Sequence, residues 1–130
     1  MHTRTTRRGF VTLAFLGLLS VTPACVRRDD VSVRVTFQSP SDRAPLRDCT
    51  VFVGASKTWW PTIAPGETVS ANVPPGGEPP ELSATYRFEG TSRSWRGPHL
   101  ERGVGYAVAI VVAGDGTATE RHCARPCTLP

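Results

Sequence analysis

Between Val31 and Gln38 the chain reads VSVRVTFQ, with Val31, Val33, Val35 and Phe37 on one side and Ser32, Arg34, Thr36 and Gln38 on the other. An apolar residue at every second position is the period of a strand with one face in a core, and a helix of period 3.6 cannot keep those four residues on one stripe. The same alternation returns along the chain. Cys49, Val51 and Val53 alternate with Thr50 and Phe52, Val69, Ala71 and Val73 share a face, and Leu82, Ala84, Tyr86 and Phe88 alternate with Ser83, Thr85 and Arg87. Val104, Tyr106, Val108, Ile110 and Val112 form the longest run. Gly105, Ala107, Ala109 and Val111 lie on its other side, so both faces are apolar and the strand is expected to be central.

The breaks between these runs are turn-formers. Ser39-Pro40-Ser41-Asp42, Pro65-Gly66 and the loop 74–80, with four prolines, each end a strand. Residues 57–63 contain Trp59 and Trp60 and are interrupted by Pro61, which suits an edge or bent strand. Glu89-Gly90 reads as a two-residue hairpin that sets Ala84 opposite Trp95 and directs Trp95 inward. Asp115-Gly116, counted as a two-residue turn, returns residues 117–123 antiparallel and sets Cys123 opposite Val108. About seven or eight short strands without a helix predict an all-β fold, a small antiparallel β-sandwich over residues 31–127, similar in outline to immunoglobulin-like or transthyretin-like domains.

Ahead of the sandwich the chain changes character. Arg4, Arg7 and Arg8 precede an apolar run over residues 9–21, which ends at Thr22-Pro23-Ala24-Cys25. A positive end, an apolar middle and a small-residue cleavage site are the three parts of a secretory signal, and the run is short of the about 20 residues a membrane-spanning helix needs. Residues 1–24 are therefore expected to be a signal peptide, and residues 25–30, Cys-Val-Arg-Arg-Asp-Asp, a charged linker. Within the leader, Thr6-Arg7-Arg8-Gly9-Phe10-Val11 resembles a bacterial twin-arginine export motif, with Thr12 where that family often has Lys. Ala24-Cys25 resembles the cleavage site of bacterial lipoproteins, although Thr22-Pro23 departs from the residues usual before it. This second resemblance implies lipidation of Cys25 and a membrane partner held through a lipid anchor.

The formal charge of +4 does not survive removal of the leader. Arg4, Arg7 and Arg8 are three of the 15 basic residues, and the other twelve stand against 11 acidic ones. A near-neutral domain has no basic stripe to follow a phosphate backbone, and nucleic acid is set aside as a partner.

The cysteines admit two chemistries. In an oxidising compartment Cys49, Cys123 and Cys127 are disulfide candidates, with Cys49 expected to bridge to Cys123 or Cys127 and close a loop worth roughly 4 kcal/mol. If Cys25 keeps its thiol, all four cysteines can pair. Alternatively His122, Cys123 and Cys127 supply ligand types suited to zinc or copper, or a thiol-redox pair. No second matched pair accompanies them, so no cofactor or metal is assigned.

His99 and Glu101 are the one cluster of acid/base residues outside the expected strands, and a solvated loop accounts for them. Without a phosphate loop or a nucleophile elbow, no catalytic residue is assigned and the chain is not read as an enzyme. Trp59 and Trp60, adjacent in an extended chain, must point to opposite faces, so one is expected at the surface; Trp60 is taken as the contact and Trp59 as its partner. The reading that results is an exported, membrane-tethered protein of the bacterial cell envelope, periplasmic or anchored, with a binding or structural role toward an envelope protein or glycan. The alternative is a metal-binding or thiol-redox envelope protein.

Overall fold

The computed structural model describes residues 29–75 and 80–130. The leader, the start of the linker with Cys25, and residues 76–79 lie outside the described residues. Eight strands follow in chain order: β1 (Val31–Gln38), β2 (Leu46–Val53), β3 (Ser56–Ile63), β4 (Thr68–Val73), β5 (Glu81–Phe88), β6 (Thr91–His99), β7 (Tyr106–Ala113) and β8 (Ala118–Ala124). They form two four-stranded sheets. Sheet A has the order β4-β1-β7-β8 and sheet B the order β3-β2-β5-β6. Among the described residues there is no helix, and the protein is a small β-sandwich.

The alternating residues of the sequence make the core. Val31, Val33, Val35 and Phe37 of β1 and Val108, Ile110 and Val112 of β7 are almost fully buried, and they meet Leu46, Val51, Val53, Leu82, Ala84, Tyr86 and Phe88 of sheet B. The Phe37 and Phe88 rings meet edge to face, centroids 6.3 Å apart, and join the two layers at one end of the sandwich. Trp95 stands opposite Ala84 as the hairpin count requires, and packs half-buried against the core. Strand β7 lies between β1 and β8, which explains its apolar faces. β3 is an edge strand, where Pro61 can forgo a ladder hydrogen bond.

Two features depart from the expected arrangement. The β1–β7 ladder is parallel, with Val31 opposite Tyr106 and Phe37 opposite Val112, whereas the other ladders are antiparallel. Both strands start at the same end of the sandwich and pair across the centre of sheet A, a non-local choice that no turn residue records. The β7–β8 connection also has one more residue than the two-residue count. Ala113 N donates to Thr117 O at 2.9 Å and Gly116 N to Ala113 O at 2.9 Å, and Gly116 sits at φ +86°. Gly114, Asp115 and Gly116 thus form a three-residue loop with glycine in the left-handed position. Val108 consequently faces His122, and Cys123 faces Ala107.

Candidate functional site

The tryptophan pair owes its placement to the turn before it. Gly54, at φ 61°, opens the Gly54-Ala55 hairpin that sets Val53 opposite Ser56. The ladder then runs Val51 to Thr58 and Cys49 to Trp60. Cys49 is 1% exposed and in the core, so Trp60 shares its inward face and packs against the core cluster. Trp59, opposite Thr50, is turned outward and is 56% exposed, the large hydrophobic residue that stands out in solvent among the described residues. The expected contact is thereby corrected: Trp59 is the surface residue and Trp60 the packing one.

Trp59 lies on the outer face of sheet B, and the registers give that face row by row. Trp59, Thr50, Thr85 and Ser94 form one row across the four strands. The row on one side is Lys57, Phe52, Ser83 and Arg96, and the row on the other is Thr62, Arg47, Arg87 and Ser92. Successive rows are two residues apart on β5 and β6, about 7 Å, while on β2 and β3 the row of Arg47 and Thr62 lies three residues from Thr50 and Trp59, and four strands span about 14 Å. Arg47, Lys57, Arg87 and Arg96 are all exposed, and none of them is in an ion pair among the described residues. Two acids stand near them: Asp48, exposed at a bulge in β2 with φ 50°, and half-buried Glu81 at the start of β5. A shallow depression of about 370 Å³ lies on this face between Asp48, Thr85, Arg87, Ser92 and Ser94. The arrangement can stack one flat ring on Trp59, hydrogen-bond to a line of hydroxyls, and pair anionic groups on either side.

The cysteines take a different pairing from the expected one. Cys123 and Cys127 are bonded to each other, and Cys49 is a free, buried thiol. The extra residue in the β7–β8 loop is the reason, because it turns Cys123 to the outer face of sheet A, away from the core that holds Cys49. Desolvation pushes the Cys49 thiol up from 9.0 to about 11. The bond also draws the C-terminal segment back over sheet A. Arg125 N donates to Gly105 O at 2.8 Å, the Arg125 guanidinium to the backbone oxygen of Asp30, and Arg34 Nη2 to the backbone oxygens of Leu129 and Pro130 at 3.4 and 2.9 Å. Ala109, on the outer face, is only 7% exposed beneath this segment.

The trio His122, Cys123 and Cys127 is divided. Both sulfurs are used in the disulfide, while His122 lies on the opposite face of β8, with Nδ1 2.5 Å from Glu120 Oε1 and its ring beside Tyr106. Among the described residues no group of three or more His, Cys, Asp and Glu side chains is placed to hold a metal ion. His99 ends β6 opposite Glu81 and is exposed. Glu101 lines a cavity of about 310 Å³ at the end of the sandwich where β1 begins, and its backbone N–H donates to the Tyr106 hydroxyl at 3.1 Å.

The four cations come from β2, β3, β5 and β6, far apart in the sequence, and only the registers of those strands bring the rows together. For the tryptophans a usable signal was present. Gly54 followed by Ala55, counted as a hairpin, sets Trp60 opposite the alternating Cys49.

No family model matches the sequence, and no curated protein matches it. The fold is similar to that of a protein from Eubacterium rectale solved by NMR, with a TM-score of 0.50 at 11% identity over 72% of this chain and 88% of that one. At that identity the likeness concerns the fold alone.

Proposed function

We propose that this is an exported, membrane-tethered binding module of the bacterial envelope, whose contact surface is the outer face of sheet B with Trp59 on its β3 edge. The leader supports export, through its twin-arginine-like Thr6-Arg7-Arg8-Gly9-Phe10-Val11, and a tether at Cys25. The observation that carries the binding role is the exposure of Trp59 at 56% within a surface of hydroxyls and unpaired cations. Scattered surface hydrophobics are common, but aromatic and Arg side chains are the types that contact surfaces concentrate. On this reading the sandwich is a rigid scaffold, and its flat face presents the contacts without a lid or a cleft.

Hydroxyl-radical footprinting of the full chain in intact envelopes, against the same protein after extraction and purification, tests the assignment. Trp59 is expected to be protected in envelopes, whereas His122, exposed at the edge of sheet A, is modified alike in both. Equal modification of Trp59 in the two states would remove the contact surface. Mass measurement of the envelope form tests the tether, since a chain beginning at Cys25 with acyl additions is expected.

A further inference from the structure

We infer that the outer face of sheet B recognises an acidic polysaccharide, a chain of pyranose rings bearing carboxylates. This rests on the reading of that face as the contact surface and names its ligand. Three observations on the face converge on one chemistry. The Trp59 ring is free to lie against the C–H face of a sugar ring, an apolar patch that an indole covers well. In the same row, Thr50, Thr85 and Ser94 offer hydroxyls that both donate to and accept from sugar hydroxyls. In the rows on either side stand the cations, Lys57 and Arg96 on one side and Arg47 and Arg87 on the other.

The spacing suits a polymer better than a single small anion. The two cationic rows are four residues apart on β5 and β6 and five on β2 and β3, about 13 Å, with the tryptophan row between them. An extended chain crossing the face therefore meets a cation, then the indole, then a second cation. Arginine matches a carboxylate with two parallel hydrogen bonds, so Arg87 and Arg96 can read the acidic groups rather than merely attract them. Asp48 and Glu81 oppose this attraction locally and leave the face cationic by two charges, from four cations against two acids. That excess is modest, and it favours a ligand with spaced acids over a densely charged one.

Other polyanions fit less well. A lipid surface calls for apolar groups to insert, and this face offers one exposed indole and a half-buried Phe52. A nucleic acid would need the dense basic track that the near-neutral domain lacks.

The full chain applied to immobilised polygalacturonate, with dextran, polyglutamate, DNA and phosphatidylglycerol vesicles as competitors, tests the inference. Retention on polygalacturonate is expected to weaken with salt. It should also fall about tenfold in Trp59→Ala, the worth of an aromatic stack, with an unchanged melting temperature. Arg87→Ala combined with Arg96→Ala should weaken it and flatten its salt dependence. Absence of retention, equal retention on dextran, competition by polyglutamate, DNA or vesicles as effective as by free polygalacturonate, or indifference to Trp59→Ala would each overturn the inference. If Trp59 is nevertheless protected in envelopes, the contact surface stands and only the ligand class falls. If Trp59 is not protected there, the surface falls with it.

Discussion

Cys49 and Trp60 face each other across the β2–β3 ladder, with the thiol sealed in the core and the indole closing over its edge. One step along, Thr50 and Trp59 face each other on the outside, so a single dipeptide contributes one ring to stability and the other to the surface. Trp60→Ala is therefore expected to cost about 2 to 3 kcal/mol, while Trp59→Ala stays within about 0.5 kcal/mol of the parent. Urea denaturation of the two variants checks this, and equal losses would contradict the register.

The Cys49 thiol should be silent to disulfide-exchange reagents in the folded protein and react only on unfolding, because it is buried and its ionisation is pushed to about 11. The same shift makes stability depend on alkaline pH. A group whose folded value lies above its unfolded one contributes fully below the unfolded value near 9.0, and the contribution is lost as pH rises toward the folded value. The unfolding free energy is expected to fall between pH 9 and 11, by on the order of 2 kcal/mol, and less steeply in Cys49→Ala, as urea denaturation across that range measures. Tyr86, also raised chiefly by burial, continues to weaken the fold at high pH in that variant.

Breaking the Cys123–Cys127 bond should loosen the C-terminal segment and leave the sandwich folded, since neither sulfur contributes to the core. Cys127→Ser is expected to lower stability by about 2 kcal/mol, the worth of so short a closed loop. Hydrogen exchange resolves the effect in space: the Arg125 amide, which donates to Gly105 O, should lose protection while the amides of β1 and β7 keep theirs.

Tyr86 of sheet B donates its hydroxyl to the Gly116 carbonyl in the β7–β8 loop of sheet A at 2.7 Å, a buried bond that pins one layer to the other. Tyr86→Phe leaves that carbonyl without its donor and should cost about 1 to 2 kcal/mol. Gly116→Ala should cost more. Its Cβ would stand 2.6 Å from the Phe88 ring, and the φ of +86° is one that alanine adopts poorly. Thermal unfolding of both variants ranks the two effects.

Much of the core could be read from the sequence because it depends on local alternation. Val31 to Phe37 and Leu82 to Phe88 need only their own period to declare an inward face. What escaped depended on counting or on distant partners. Reading Asp115-Gly116 as a two-residue turn put Cys123 opposite Val108, facing the core, from where a bridge to Cys49 was geometrically reasonable. Adding Gly114 to the loop shifts the register by one, turns the side chain to the other face and leaves Cys127 as the available thiol. The cationic rows beside Trp59 were invisible for a related reason, because Arg47, Arg87 and Arg96 come from three strands whose order is a property of the finished sheet.

The parallel pairing of β1 with β7 has a kinetic consequence. The hairpins β2–β3 and β5–β6 need only neighbours in the chain, but β1 waits until nearly the whole sequence has emerged before its second partner exists. During synthesis Val31, Val33, Val35 and Phe37 remain an uncovered, aggregation-prone edge, held at most by β4. Closure of such a distant contact sets a slow step in folding. A nascent chain stopped before Tyr106 can assemble the strands of sheet B yet cannot complete sheet A, so the stretch from Tyr106 onward decides when the protein becomes safe from its own first strand.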